Sequence, residues 1–143
     1  MFSKKYIIWF SRFSLFTIFF WFGFLKIIEV SPAENLVRNL YNVTIYNYID
    51  FPLFCLTLGL FECFIGIIWL IPLLTRLAFY NYILHFIITF LPLFYLTEIS
   101  WQYLLTPTII GQYIIKNLCI LSLVFFTYYF YKTKLYNITN KQS

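Results

Sequence analysis

Four long apolar runs, at about residues 6–30, 53–74, 77–97 and 108–131, constrain this chain more than any other feature. Each reaches the ~20 residues a helix needs to cross a ~30 Å hydrocarbon core. They are too long and too uniformly apolar for barrel strands, which alternate in short segments. Composition agrees: 62% of residues are hydrophobic and 10% are charged, whereas a soluble domain carries about a quarter charged residues. The expectation is an all-α integral membrane four-helix bundle, a single membrane domain over residues 1–143. The first run is far longer than a signal-peptide core and lacks a small-residue cleavage site, so it reads as a retained helix.

The connections carry their own signals. Ser31-Pro32-Ala33-Glu34 has the form of a helix start, with Ser31 as cap, Pro32 at the first position and Glu34 completing a capping box. Leu36, Val37 and Leu40 then share one side of a short amphipathic helix between spans 1 and 2, expected at the membrane interface beside Tyr41, Tyr46 and Tyr48. Thr75-Arg76 reads as a tight turn between spans 2 and 3, and Trp101 and Pro107 as marks of an interfacial loop before span 4.

Charge orients the bundle. Lys4, Lys5, Arg12, Arg76, Lys132, Lys134 and Lys141 fall on one side, with no acid among them. The opposite loops hold Arg38 against Glu34, Asp50 and Glu98. The positive-inside rule then places both termini in the cytoplasm, N-in/C-in. The same scatter argues against nucleic acid, which needs basic residues gathered on one face. Membrane lipid is the expected partner instead.

The polar residues within the spans are the candidates for function. At ~1.5 Å per residue from the outer edge, Glu62 lies about 14 Å down span 2 and Lys116 about 12 Å down span 4. Gln112 lies about 6 Å down span 4, His85 about 18 Å down span 3, and Lys26 and Glu29 close to the outer end of span 1. Helical spacing aligns Cys55, Gly59, Glu62 and Gly66 on one stripe, with Gly59 and Gly66 leaving room for a neighbouring helix. It aligns Arg12, Gly23 and Lys26 in span 1, Ala78, Asn81, His85, Thr89 and Pro92 in span 3, and Thr108, Gln112, Lys116 and Cys119 in span 4. An unpaired charge at mid-membrane costs roughly 2.5–3.5 kcal/mol on insertion scales. Glu62 and Lys116 match in depth and oppose in sign, so a Glu62–Lys116 contact is expected. Near the outer boundary Lys26 and Glu29 have the alternative of snorkelling to the head groups. His85 is the candidate proton relay, or a hydrogen-bonding partner for a neighbouring helix.

Other chemistries are disfavoured. Cys55, Cys63 and Cys119 have no C-x-x-C or zinc spacing and read as small apolar packers. A lone histidine makes no usual metal site, so no metal is expected. Nucleotide, flavin and nicotinamide fingerprints are absent from the sequence. No resident cofactor is evident, and a quinone is the one a membrane pocket would admit.

Five segments, taken together, resemble the DoxX-like family of small four-helix bacterial membrane proteins, including the branch related to the inner-membrane protein of reactive-chlorine resistance. They are Trp21 to Lys26, Gly59 to Gly66, Pro72 to Arg76, His85 to Pro92 and Gly111 to Asn117. The resemblance implies the bacterial cytoplasmic (inner) membrane, multi-pass, and a redox or oxidative-stress role. It transfers to Gly23, Lys26, Glu62, Gly66, Gln112 and Lys116. The leading expectation is a redox-associated subunit, itself catalytic or not, working with a soluble or membrane redox partner. It would bind a quinone or small oxidant in an outer-half pocket of Lys26, Glu62, Gln112 and Lys116. The alternatives are a small proton-coupled transporter, which with four spans calls for a homo-oligomer, and a non-catalytic structural or assembly protein.

Overall fold

The computed structural model describes residues 3–139, with side chains through Thr133; Lys141 of the charge pattern lies outside the described residues. The helices are α1 (Lys4–Ile27), α2 (Glu34–Thr44), α3 (Phe51–Leu70), α4 (Thr75–Phe90), α5 (Pro92–Tyr95), α6 (Thr97–Ser100) and α7 (Ile109–Thr139). Four stretches are long and apolar enough to cross a membrane: Lys4–Ile27, Phe51–Leu70, Pro72–Tyr95 and Ile109–Thr133. Pro92 interrupts the third, so α5 continues α4 after a break at Leu91. A two-stranded antiparallel hairpin, β1 (Trp101–Tyr103) with β2 (Thr106–Pro107), occupies the loop before α7 and pairs Trp101 with Pro107.

The closest packing is between α1 and α3, and glycine makes it possible. A Cβ at Gly23 would stand 2.6 Å from the Gly59 carbonyl oxygen and 2.7 Å from the Cys63 nitrogen. A Cβ at Gly66 would meet the Phe20 nitrogen at 2.8 Å. The two backbones are therefore in direct contact, as small residues permit where helices pack in lipid. The stripe Cys55, Gly59, Glu62 and Gly66 is buried along its whole length, as are Arg12, Gly23 and Lys26 on α1.

Below this seam a core of Leu15, Phe19, Ile65, Ile68, Trp69, Ala78, Tyr82 and Val124 fills the bundle. Phe19 sets its ring edge against Tyr82. The Trp69 indole N–H is buried in this core without an acceptor among the described residues.

Three local expectations change. The helix after the first span begins at Glu34, not at Pro32; Ser31 Oγ accepts instead from the Ala33 N–H at 3.3 Å, a short turn that delays the helix. Tyr41 packs inward: it is buried and donates to the Ile49 carbonyl at 2.7 Å, pinning the α2–α3 connection, while Tyr46 and Tyr48 stay exposed. The turn between spans 2 and 3 is a 3-10 segment, Pro72–Leu74, and Thr75 already begins α4.

Thr75 has a second task. Buried Arg12 donates to the Trp69 carbonyl at 2.8 Å and to Thr75 Oγ1 at 2.6 Å. A cation there satisfies a carbonyl at the C-terminal end of α3, where the helix dipole is negative. Arg12 thus ties α1 to the α3–α4 corner, a role the spacing of the sequence did not disclose.

A buried lysine, glutamate and histidine beside a cleft

The candidate site forms where the last turn of α1 crosses α3. Gly59 has no side chain, so Lys26 lies against it, its Cβ 3.1 Å from where a Gly59 Cβ would stand. From there Lys26 Nζ reaches Glu62 Oε2 at 2.6 Å. Both side chains are nearly closed off, 7% and 8% exposed. Glu62 Oε1 accepts from His85 Nε2 on α4 at 2.9 Å. One carboxylate thereby joins three helices, with each oxygen taken by a different partner.

His85 has a further neighbour in Thr89. The hydroxyl lies 3.2 Å from His85 Nδ1 and 2.9 Å from the His85 carbonyl. With a neutral ring, Nε2–H donates to Glu62 and the Thr89 hydroxyl donates to Nδ1. With a protonated ring, Nδ1–H donates to Thr89, whose hydroxyl turns to its carbonyl acceptor. Either protonation state leaves both ring nitrogens satisfied. Phe19 stands edge-on to the imidazole, 5.2 Å between ring centres, and closes the site on the core side.

Lys26 is the member of this trio that also lines a cleft of about 600 Å³. The cleft lies among the end of α1, the α1–α2 connection, α2 and the start of α3. Glu29, Glu34 and Arg38 bring charge to it, and Ile27, Phe51, Leu53 and Leu56 supply apolar wall. Arg38 pairs with Glu34 at 2.7 Å, one helical turn away, and its guanidinium sits 3.8 Å over the Phe51 ring. It thereby connects α2 to α3 across the cleft.

The expected Glu62–Lys116 pair does not form. Glu62 is taken by Lys26 and His85, while Lys116 is exposed on α7 with its ammonium 5.3 Å over the Tyr113 ring. Side chains lean toward a helix N-terminus, so Lys116 extends toward the start of α7 as a snorkelling lysine does. Gln112 and Cys119 are exposed on the same outward side; α7 turns Gly111, Ile114, Val124 and Thr127 inward instead. The expected stripe on α7 therefore faces away from the site. Lys26 reverses the other way, inward to Glu62 rather than out to the boundary. Glu29 stays exposed, and all three cysteines are free.

Among the described residues no group of three or more His, Cys, Asp or Glu is placed to hold a metal ion. Compared with known proteins, the chain matches no family model, no curated protein and no solved structure.

Proposed function

We propose that this is a multi-pass membrane protein, N-in/C-in in a bacterial cytoplasmic membrane, that binds a small ligand at Lys26, Glu62 and His85 from the outer leaflet. The observation carrying the reading is a buried ion pair whose lysine lines an open cleft, with a histidine on the other carboxylate oxygen. Intramembrane ionisable groups of this kind mark ligand or proton sites by default. The charge distribution supports the orientation: the cleft end carries the acidic loops, and Arg76 and the basic termini lie at the other.

The ligand class we favour is a quinone head group or a small oxidant, bound by a DoxX-like redox-associated subunit. A quinone carbonyl would accept from the Lys26 ammonium, which has two N–H groups beyond the one on Glu62. The apolar wall of the cleft suits an isoprenoid tail. Electrons would come from a partner protein, since the chain's own residues offer binding and proton handling only.

The test is binding of a short-chain quinone to the detergent-purified protein, read by tryptophan quenching and thermal shift. Saturable quenching that is lost in Lys26→Met and His85→Phe is expected. No saturable signal, or an undiminished one in both variants, would refute the ligand. Labelling of single introduced cysteines at Arg38 and Arg76 in cells, on a cysteine-free background, checks the orientation. An impermeant maleimide should reach position 38 and not position 76.

A proton-coupled transporter is the second reading, favoured by the two satisfied states of His85. The packed layer of Leu15, Phe19, Ile65 and Tyr82 below the site closes the other side in this conformation. Proton-driven uptake into proteoliposomes, abolished by Glu62→Gln, would establish it over the first.

A further inference from the structure

The cleft carries a charge that the Lys26–Glu62–His85 trio does not use. Two ion pairs are internal: Lys26 with Glu62, and Arg38 with Glu34. Glu29 makes no ion pair among the described residues, so the cleft keeps one uncompensated carboxylate at its mouth. Its backbone is also unusual. Glu29 has φ 58°, the left-handed conformation that glycine adopts without penalty. The Val30 N–H closes on the Leu25 carbonyl at 3.0 Å, the six-to-one bond of a Schellman turn. Glycine is the usual residue at this position. A carboxylate in its place carries backbone strain, and strain of this sort collects where a side chain has a task.

On the α2 side of the cleft, Arg38 is fixed over Phe51 and spends one guanidinium nitrogen on Glu34. Its other N–H groups are available to an anion. Leu53 and Leu56 continue the wall along α3 as exposed apolar surface. A carboxylate, a guanidinium and an apolar wall, placed where membrane-length α1 ends and membrane-length α3 begins, together describe a zwitterionic amphiphile.

We propose that the rim of this cleft binds the head group of an ethanolamine phospholipid, its ammonium on Glu29 and its phosphate on Arg38, with an acyl chain along Leu53 and Leu56. The assignment rests on the membrane placement proposed above, but not on the identity of the small ligand at Lys26. A primary ammonium donates hydrogen bonds to a carboxylate. A choline head group has no N–H to donate, and a glycerol head group has no positive charge. The site therefore discriminates among lipids that share a phosphate.

The experiment uses the full chain, delipidated in a neutral detergent, with phosphatidylethanolamine, phosphatidylcholine or phosphatidylglycerol of identical acyl chains. Phosphatidylethanolamine should raise the unfolding midpoint several degrees more than the other two and stay bound in native mass spectrometry. Glu29→Gly gives the sharper arm. It relieves the left-handed backbone, so the lipid-free protein should unfold at a higher temperature, yet the ethanolamine preference should vanish. Equal shifts from the three lipids, a larger shift from phosphatidylglycerol, or an intact preference in Glu29→Gly would overturn the proposal. A full shift from soluble glycerophosphoethanolamine would overturn the lipid assignment. Quinone binding lost with lipid preference intact would fail the proposed function alone, and the converse would fail this inference alone.

Discussion

Replacing Glu62 by Gln should be among the most damaging single changes in this protein, and removing Lys26 as well should repair much of the damage. The substitution keeps the shape of the side chain and deletes its charge. Lys26 would then keep its ammonium in a site where 7% of the side chain meets solvent, with its 2.6 Å counter-ion gone. Breaking one side of a buried pair costs about 3–5 kcal/mol, because the remaining charge is stranded. Lys26→Met strands Glu62 less severely, since His85 still donates to its other oxygen at 2.9 Å; about 1–3 kcal/mol is expected, the range for an unsatisfied buried partner. The double variant Lys26→Met/Glu62→Gln has no stranded charge, and replacing a whole buried pair is often close to neutral. It should be more stable than Glu62→Gln alone, and a near-neutral double variant makes the coupling energy as large as the two single effects together, about 4–8 kcal/mol. Reversible unfolding in mixed micelles, followed by circular dichroism for the four proteins, measures the cycle. If the two single effects add to within about 0.5 kcal/mol, the sites act independently and the buried-pair reasoning fails.

Three further outcomes follow from the packing. Gly23→Ala should destabilise by about 1–3 kcal/mol or more, the range for overpacking, since the new methyl meets backbone atoms of α3 that cannot swing aside; the unfolding midpoint reads it, and Gly23→Ser should be no better. Arg12→Met should cost about 2–4 kcal/mol by orphaning the Trp69 carbonyl and releasing the Thr75 hydroxyl; Arg12→Lys should recover part of this in the same assay, because an ammonium can cap one acceptor. Lys116→Leu should change stability by less than about 1 kcal/mol, as a lysine with no ion-pair partner does at a solvent- or lipid-facing position; a loss like that of Glu62→Gln would reinstate the pairing that the geometry rejects.

How far the site was legible depended on which neighbour each residue needed. The stripe Cys55–Gly59–Glu62–Gly66 was readable because it belongs to one helix, where spacing alone assigns a face. That Glu62 demanded a cation was equally readable, because a lone carboxylate in hydrocarbon is costly. Which cation it meets is not legible: Lys116 matches Glu62 in depth, yet depth says nothing about rotation of α7 about its own axis. Lys26 stands near a boundary, where snorkelling is the simpler fate for a lysine. One signal pointed to it: Gly23 stands one turn before Lys26, and small residues mark the face that meets another helix. Thr89 lies on the expected stripe of α4, but its reach to His85 Nδ1 depends on the rotamers of both side chains, which spacing does not set.

By itself the sequence determined the number of membrane-length helices and the polar face of α1 and of α3. These follow from run length and helical period, which are local quantities. It also determined that charges within the spans must be paired or brought to the boundary. Only the tertiary structure decided which of these fates each charge met. The glycine seam between α1 and α3 draws the two backbones into contact and carries Lys26 across to Glu62. The outward turn of α7 leaves Lys116 outside. Both outcomes depend on how helices rotate and approach once side chains interlock, which no single helix encodes.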